Sequence, residues 1–373
     1  MALLKIAKAE IFRFCLPFAA PVRIGKTLLS KREGFFIVLT DDEGRQGFGE
    51  VAPLPGWDTL SMDACRSECF RLKRMLMPGT LNLDGYDPAV PGLGMWSPPC
   101  SCLPHALFGL ESAFLHLCVE RLWVEGRLSL PLNCGVRVSG LFLPSLDPKR
   151  IEALMAVLAQ SGVQTIKIKI GRLPLEEEIR QIKVLRDSIG AGAILRFDGN
   201  RHLCSDEYAC YYSAFSSAPV AYAEEPLRDP DLLASTNVPW PVAVDESLPV
   251  YLDRNEANLA SLPSGIAFLI VKPGLVAGIS GMIRLARMAA EKRMGIVWSS
   301  AFNTGVTLVT LAIAARLAGL PAQTAHGLDT LRYLTDDVLE TSVGIHRGWL
   351  RISRKRVLEG LHLNWRRLTL ESS

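Results

Sequence analysis

The residues of this chain best suited by type and spacing to remove a proton from carbon are Lys167, Lys169, Asp198, Glu224, Asp245 and Lys272. Within Thr165-Ile-Lys-Ile-Lys-Ile170 the two lysines alternate with isoleucines, so an extended strand sends both ammonium groups to one face. Like charges side by side in a buried strand repel and lose hydration, which predicts a lowered pKa for at least one of them. A lysine in that state is a general base. Downstream, short apolar runs end in charge: Ile194-Leu-Arg-Phe-Asp198, Val220-Ala-Tyr-Ala-Glu224, Val242-Ala-Val-Asp245 and Phe268-Leu-Ile-Val-Lys272. The intervals are roughly 20 to 30 residues, about one βα unit each.

In a parallel βα barrel the C-terminal strand ends open onto one face, so these groups, remote in sequence, are expected to converge. Three carboxylates there repel unless a cation neutralises them. A hard, all-oxygen donor set without His or Cys favours Mg²⁺, which leaves positions for the oxygens of a small-molecule carboxylate substrate. Pairing is ambiguous at Glu224-Glu225 and Asp245-Glu246. Alternation groups Tyr222 with Glu224 and Ala243 with Asp245, which assigns the inward position to the first acid of each pair. Arg196 and Asn200 share the face of Asp198. A Schiff-base aldolase would use Lys169 or Lys272 as a nucleophile but has no need of clustered acids. A non-catalytic binding barrel would leave all these groups without a purpose.

At these residues the chain resembles the enolase superfamily, in particular its muconate-lactonising subgroup, with K-x-K, D-x-N, E-x-P, D-E and K on successive strands. Within it, Arg196-Phe-Asp-Gly-Asn-Arg201, Ala223-Glu-Glu-Pro226, Val244-Asp-Glu-Ser-Leu248, Lys272-Pro273 and Gly327-Leu-Asp-Thr330 are similar to the dehydratase branch of menaquinone biosynthesis. The resemblance implies a modified TIM (β/α) barrel under an α+β capping domain. It also implies Lys169 and Lys272, with Lys167, as catalytic groups and Asp198, Glu224 and Asp245 as Mg²⁺ ligands. Arg196, Asn200, Ser299, Ser300 and Gly327 would bind substrate. The implied reaction removes the proton α to a carboxylate and expels a β-hydroxyl; an N-acylamino-acid racemase or dipeptide epimerase would use the same parts. Gly47-Phe-Gly-Glu50, Ala52-Pro-Leu-Pro and Phe108-Gly-Leu-Glu111 look like the capping domain, with Pro21–Gly25 and Ala52–Trp57 as loops closing on the substrate. His326 and Trp298 depart from the branch pattern, and Trp298 adds bulk near the pocket wall or behind it.

The elements that must position these groups can be read outward from them. Lys149–Gln160 and Glu176–Ser188 have helical periodicity, Met294–Ser300 reads as a strand, and Ala301–Gly305 opens a helix reaching Ala318. His326–Thr330 ends the last barrel strand. Before the barrel, residues 4–15 and 35–41 read as strands, Asp63–Met75 and His105–His116 as helices, and Pro78–Pro99 as a long connection. Gly348–Ser353 reads as a strand completing the first domain. The expected divisions are 1–128 for the cap, 129–341 for the barrel and 342–373 returning to the cap. A chain of 373 residues with 49% hydrophobic and 21% charged residues suits a globular barrel plus a smaller domain. Its net charge of +3 argues against nucleic acid as the main ligand, and the basic tail reads as a solvated face. Charges interrupt the first apolar residues too early for a secretion signal, and no apolar stretch is long enough to span a bilayer. The nine cysteines, with no zinc spacing at Cys65/Cys69 or Cys100/Cys102, fit reduced thiols in the cytoplasm.

Overall fold

A long β-hairpin begins the chain. Strand Leu3–Ile24 pairs antiparallel with Thr27–Asp41, and Gly25, at φ 54°, turns the chain between them. The computed structural model describes residues 3–77, 79–82, 102–124, 133–229, 239–252, 259, 262–263, 265–276, 278–353 and 360–372. Pro21–Ile24, expected as a loop, is the end of this strand: after a register shift at Pro17/Val22, Val22–Ile24 pairs with Thr27–Leu29. Gln46–Val51 extends the sheet on one side, and Leu368–Leu370 returns from the far end of the chain to pair with Phe12–Phe14. Of the expected long connection, Gly79–Asn82 is a strand beside Leu3–Ile6, and residues 78 and 83–101 lie outside the described residues.

Helix Pro104–Val124 lies across Gln46–Val51 at a distance that only glycine permits. A Cβ at Gly47 would stand 2.0 Å from the Ala113 carbonyl oxygen, and one at Gly49 1.5 Å from that of Gly109. The Gly-x-Gly of Gly47-Phe-Gly-Glu50 is therefore a packing requirement.

The second body is a ring of parallel strands: Asn133–Phe142 (broken at Ser139), Thr165–Lys169, Ile194–Asp198, Val220–Glu224, Val242–Val244, Ile266–Val271, Gly295–Trp298 and Ala325–His326. The last pairs with Arg137–Val138 of the first, and a bridge between Ser299 and Gly327 joins it to the seventh. Alternation sorts the side chains. Tyr222, Ala243, Ile270 and Val297 form a separate cluster inside the ring, while their neighbours join the main core beneath the helices. Trp349–Ser353 does not complete the first sheet as expected; it pairs antiparallel with Asn133–Val138 of the barrel, because Leu350 and Ile352 bury against that strand. Among the described residues no helix is long and apolar enough to cross a membrane.

Two buried glutamates join cap to barrel by serving helix N-termini, where unpaired N–H groups and the helix dipole favour an anion. Glu50 accepts from Asn303 Nδ2 (2.9 Å), Thr304 N (3.0 Å), Thr304 Oγ1 (2.7 Å) and Thr307 Oγ1 (2.7 Å) at the start of helix Gly305–Leu317. Glu111 accepts from Ser280 N (2.8 Å) and Oγ (2.6 Å) in helix Gly278–Glu291. Burial pushes the Glu111 carboxyl up to about 7 from 4.5, against the Ser280 hydrogen bonds. A raised folded-state pKa means the folded chain holds the proton that the unfolded chain has released, so this contribution is full below pH 4.5 and is lost as pH rises through 7. Glu111→Gln is expected to flatten the pH dependence of urea-unfolding stability across that window by up to about 3 kcal/mol; parallel wild-type and variant profiles would contradict it.

Candidate active site

The inward alternation delivers every charged group of the proposed set to the same end of the ring. Lys169 ends the second strand, Asp198 the third and Glu224 the fourth, in paired register, while Asp245 follows the fifth and Lys272 the sixth. Asp198 and Glu224 are 0% exposed and Asp245 1%. The lysines that face them retain slight access to solvent.

Lys167 bridges the first two acids, with Nζ 2.7 Å from Asp198 Oδ2 and 2.6 Å from Glu224 Oε1. Lys169 Nζ donates to Asp198 Oδ2 (2.5 Å) and to Asn200 Oδ1 (2.6 Å). Lys272 Nζ donates to Asp245 Oδ2 and stands 4.4 Å from the Trp57 ring centroid, beneath the cap loop Ala52–Trp57. The hairpin turn at Gly25 packs against this loop, where a Cβ would stand 3.1 Å from the Gly56 carbonyl oxygen.

Of the two lysines, at least one of which was expected to have a lowered pKa, Lys167 is not that one. Burial alone would lower its pKa, but Asp198, Glu224 and Asp245 outweigh it and hold the ammonium well above its ordinary value. Lys167 is thus a fixed cation. Asp198, despite the burial that opposes ionisation, is held far below the carboxylate range by Lys167 and Lys169. Burial first, then the Asp198 charge, pushes Glu224 well above it.

Alternation also resolves the acid pairs. Glu224 faces the ring, whereas Glu225 turns away and accepts from Asp245 N (2.8 Å), Ser247 N (2.8 Å) and Ser247 Oγ (2.7 Å), pinning the neighbouring strand end. Glu225, at φ 39°, and Asn200, at φ 42°, hold left-handed backbone beside the charged cluster. Asn200 links outward, donating to Glu246 Oε1 (3.2 Å). Glu178, which sequence reasoning passed over, accepts from the Gly171, Arg172 and Leu173 amides at 2.8 Å each and so fixes the turn after Lys169. Its only sequence signal was an acid in the first turn of a helix.

The expected substrate-binding residues divide. Arg196 lies one inward layer below Asp198; it donates to the Ala325 carbonyl (2.6 Å) across the ring and sits 5.0 Å from the Tyr222 ring, which suits bracing of the barrel. Ser299 and Ser300 donate to the Gly327 carbonyl (3.3 and 3.1 Å), and a Cβ at Gly327 would stand 2.7 Å from Ser299 Oγ, so this trio closes the ring. Trp298 and His326, the two departures from pattern, answer each other. Trp298 packs in the main core behind the wall and its backbone N–H donates to His326 Nδ1 (3.1 Å). Burial first, then Arg196, drives His326 down to about 3, which keeps the acceptor nitrogen free of a proton.

Among the described residues no three His, Cys, Asp or Glu side chains are grouped as a metal cage as they stand, because ammonium groups intervene. The donor chemistry nevertheless fits a hard cation. Buried Glu224 Oε2 and Asp245 Oδ1 have no hydrogen-bond partner.

A family model described as enolase C-terminal domain-like matches residues 150–361, more than half of the chain. The chain belongs to the enolase superfamily. A second model, the MenC N-terminal domain, matches residues 6–95. This enolase-superfamily enzyme is 26% identical over 333 residues to the o-succinylbenzoate synthase of Klebsiella pneumoniae, covering 88% of this chain and 92% of that one. It is 27% identical over 357 residues to the chloroplastic protein PHYLLO of Arabidopsis thaliana, covering 85% of this chain but 20% of that much longer protein. Among solved structures, a dipeptide epimerase from Methylococcus capsulatus, complexed with Mg and a dipeptide, superposes with TM-score 0.73 at 20% identity, covering 94% of this chain and 97% of that one. The muconate lactonizing enzyme of Pseudomonas fluorescens does so with TM-score 0.73 at 18% identity and 97% coverage of each chain. These likenesses establish the modified TIM barrel with its cap.

Lys167→Met is expected to leave Asp198 and Glu224 buried side by side without their shared cation. Urea unfolding in chelated buffer should show a loss of about 3 kcal/mol; an unchanged midpoint would mean that the bridge contributes nothing.

Proposed function

We propose that the chain is an o-succinylbenzoate synthase, a Mg²⁺-dependent cytoplasmic lyase of menaquinone biosynthesis. Its substrate would be 2-succinyl-6-hydroxy-2,4-cyclohexadiene-1-carboxylate, losing the proton α to the carboxylate and the 6-hydroxyl. One observation carries this reading: Lys169 ends the second strand of the ring and Lys272 follows the sixth, with Asp198, Glu224 and Asp245 at the ends of the three strands between. The o-succinylbenzoate synthase relatives, matched over most of both chains, support the choice of substrate.

Asp198, Glu224 and Asp245 would hold the ion, and the Glu224 and Asp245 oxygens that lack hydrogen-bond partners would be available as donors to it. When bound, Mg²⁺ supplies the charge that offsets the second negative charge developing on the substrate carboxylate. Lys169 takes the α-proton into its amine. Asn200, bonded to Lys169 Nζ at 2.6 Å and tied to Glu246, keeps that nitrogen aimed. The carbanion's electron pair expels the hydroxyl from the same face, and Lys169 returns the proton to it, so water leaves and the ring becomes aromatic. Lys272 remains an ammonium opposite, stabilising the anion, and Trp57 closes over it and excludes water.

Asp198→Asn, Glu224→Gln and Asp245→Asn should each weaken Mg²⁺ binding in calorimetric titration by about 10- to 100-fold and abolish turnover; full turnover in exhaustively chelated buffer would rule the metal out. Lys169→Ala should eliminate exchange of the α-proton with D₂O, whereas Lys272→Ala should lose dehydration. In a racemase or epimerase each lysine would serve one enantiomer. Lys272→Ala that still exchanges single enantiomers of an N-succinylamino acid, with no dehydration by the wild type, would replace the dehydratase with that activity.

A further inference from the structure

Arg32 stands in the second strand of the hairpin, 1% exposed, and among the described residues its guanidinium meets no carboxylate. Its hydrogen bonds all go to backbone carbonyls: Nη1 to Pro53 (2.5 Å) and Glu33 (3.3 Å), Nη2 to Ala52 (2.5 Å), and Nε to Phe302 (3.3 Å). Burial lowers its pKa, with Glu50 and Asp58 countering from a distance. A buried cation without an ionic partner is costly, and an apolar side chain of the same volume would pack the site with less penalty. Stability alone therefore does not account for an arginine here.

The carbonyls that it gathers do account for one. Ala52 and Pro53 begin the cap loop that carries Trp57, and Phe302 belongs to the barrel loop just beyond Ser299 and Ser300. That barrel loop is itself held: Phe302, at φ 56°, donates its N–H to Thr330 Oγ1 (3.2 Å). The cap loop is a closed turn, with Leu54 N on Asp58 Oδ2 (2.5 Å), and Trp57 N and Asp58 N on Leu54 O (3.1 and 2.9 Å). At its far end Asp58 Oδ1 lies 3.0 Å from His105 Nε2. Fixing the Ala52 and Pro53 carbonyls therefore fixes Trp57, whose ring lies on the Lys272 ammonium.

We propose that Arg32 is a positioning residue: by fastening the Ala52–Asp58 turn to the Phe302 loop, it sets Trp57 over Lys272. A planar fork reaching carbonyls on two different loops is something a lysine cannot reproduce. The kinetic part of the proposal rests on Lys272 acting in the reaction proposed above.

The ligand-free protein tests the first half, by hydrogen–deuterium exchange of wild type and Arg32→Lys. The Trp57 and Asp58 amides should exchange about tenfold faster in the variant, the equivalent of one buried hydrogen bond lost, while amides of the barrel strands stay unchanged. Arg32→Gln serves if the lysine variant does not fold. Unchanged exchange in this turn, or faster exchange spread over the whole cap, would overturn the proposal. The second half is a double-mutant cycle with Trp57→Ala. Arg32→Lys should lower kcat about tenfold, more than it changes KM, and should cost nothing further in Trp57→Ala. Effects that multiply would show that Arg32 does not act through Trp57. A wild type without dehydratase activity would remove the reading of function, and the exchange experiment would still decide the fastening.

Discussion

Three acidic side chains, Asp198, Glu224 and Asp245, are buried at adjacent strand ends of one ring, and their mutual repulsion is the constraint that the rest of the site answers. The described residues answer it with lysines from both flanks. Lys167 lies between two of the acids and is held charged by them; Lys169 and Lys272 take the outer positions. The charges are uneven as a result: Asp198, with two ammonium contacts, is driven toward ionisation, and Glu224 away from it. Orphaned oxygens on Glu224 and Asp245 show that the lysines leave the acids incompletely satisfied. Under the function proposed above, a cation held by these acids would take over acceptors that the lysines now occupy.

Holding such a cluster requires rigid strand ends, and the chain provides them with carboxylates of a different kind. Glu178 gathers the amides after Lys169, Glu225 those around Asp245, and Glu50 and Glu111 seat the cap on two barrel helices. Each is a carboxyl group placed on backbone N–H groups, where hydrogen bonds offset part of its desolvation. In this protein the same residue type therefore serves two purposes. Those facing the ring belong to the charged cluster, and those facing backbone amides hold it in place.

The cap contributes to the site through a short path. Glycines at 47 and 49 let helix Pro104–Val124 lie against the first sheet, Glu50 carries that sheet onto helix Gly305–Leu317, and the next turn of chain brings Trp57 to Lys272. Motifs that resemble the family's cap in sequence are here explained by close backbone approach and by buried acceptors.

Strand periodicity was enough to assign Lys167, Lys169, Asp198, Glu224 and Asp245 to one face, because side-chain alternation is a local property of the backbone. The choice of Glu224 over Glu225 followed from the same rule, and the helices of the barrel from their apolar spacing. What remained out of reach depends on partners distant in sequence. The raised pKa of Lys167 comes from acids on other strands, which the lysine pair considered alone does not reveal. Pro21–Ile24 reads as a loop until Thr27–Leu29 pairs with it, and Trp349–Ser353 reads as part of the cap until Asn133–Val138 offers an open edge. The contacts of Ser299 and Ser300 with Gly327 at ring closure, and of Arg196 with a carbonyl across the barrel, likewise come from strands distant in sequence. Local pattern determines which face a residue takes; only the folded chain decides what it meets there.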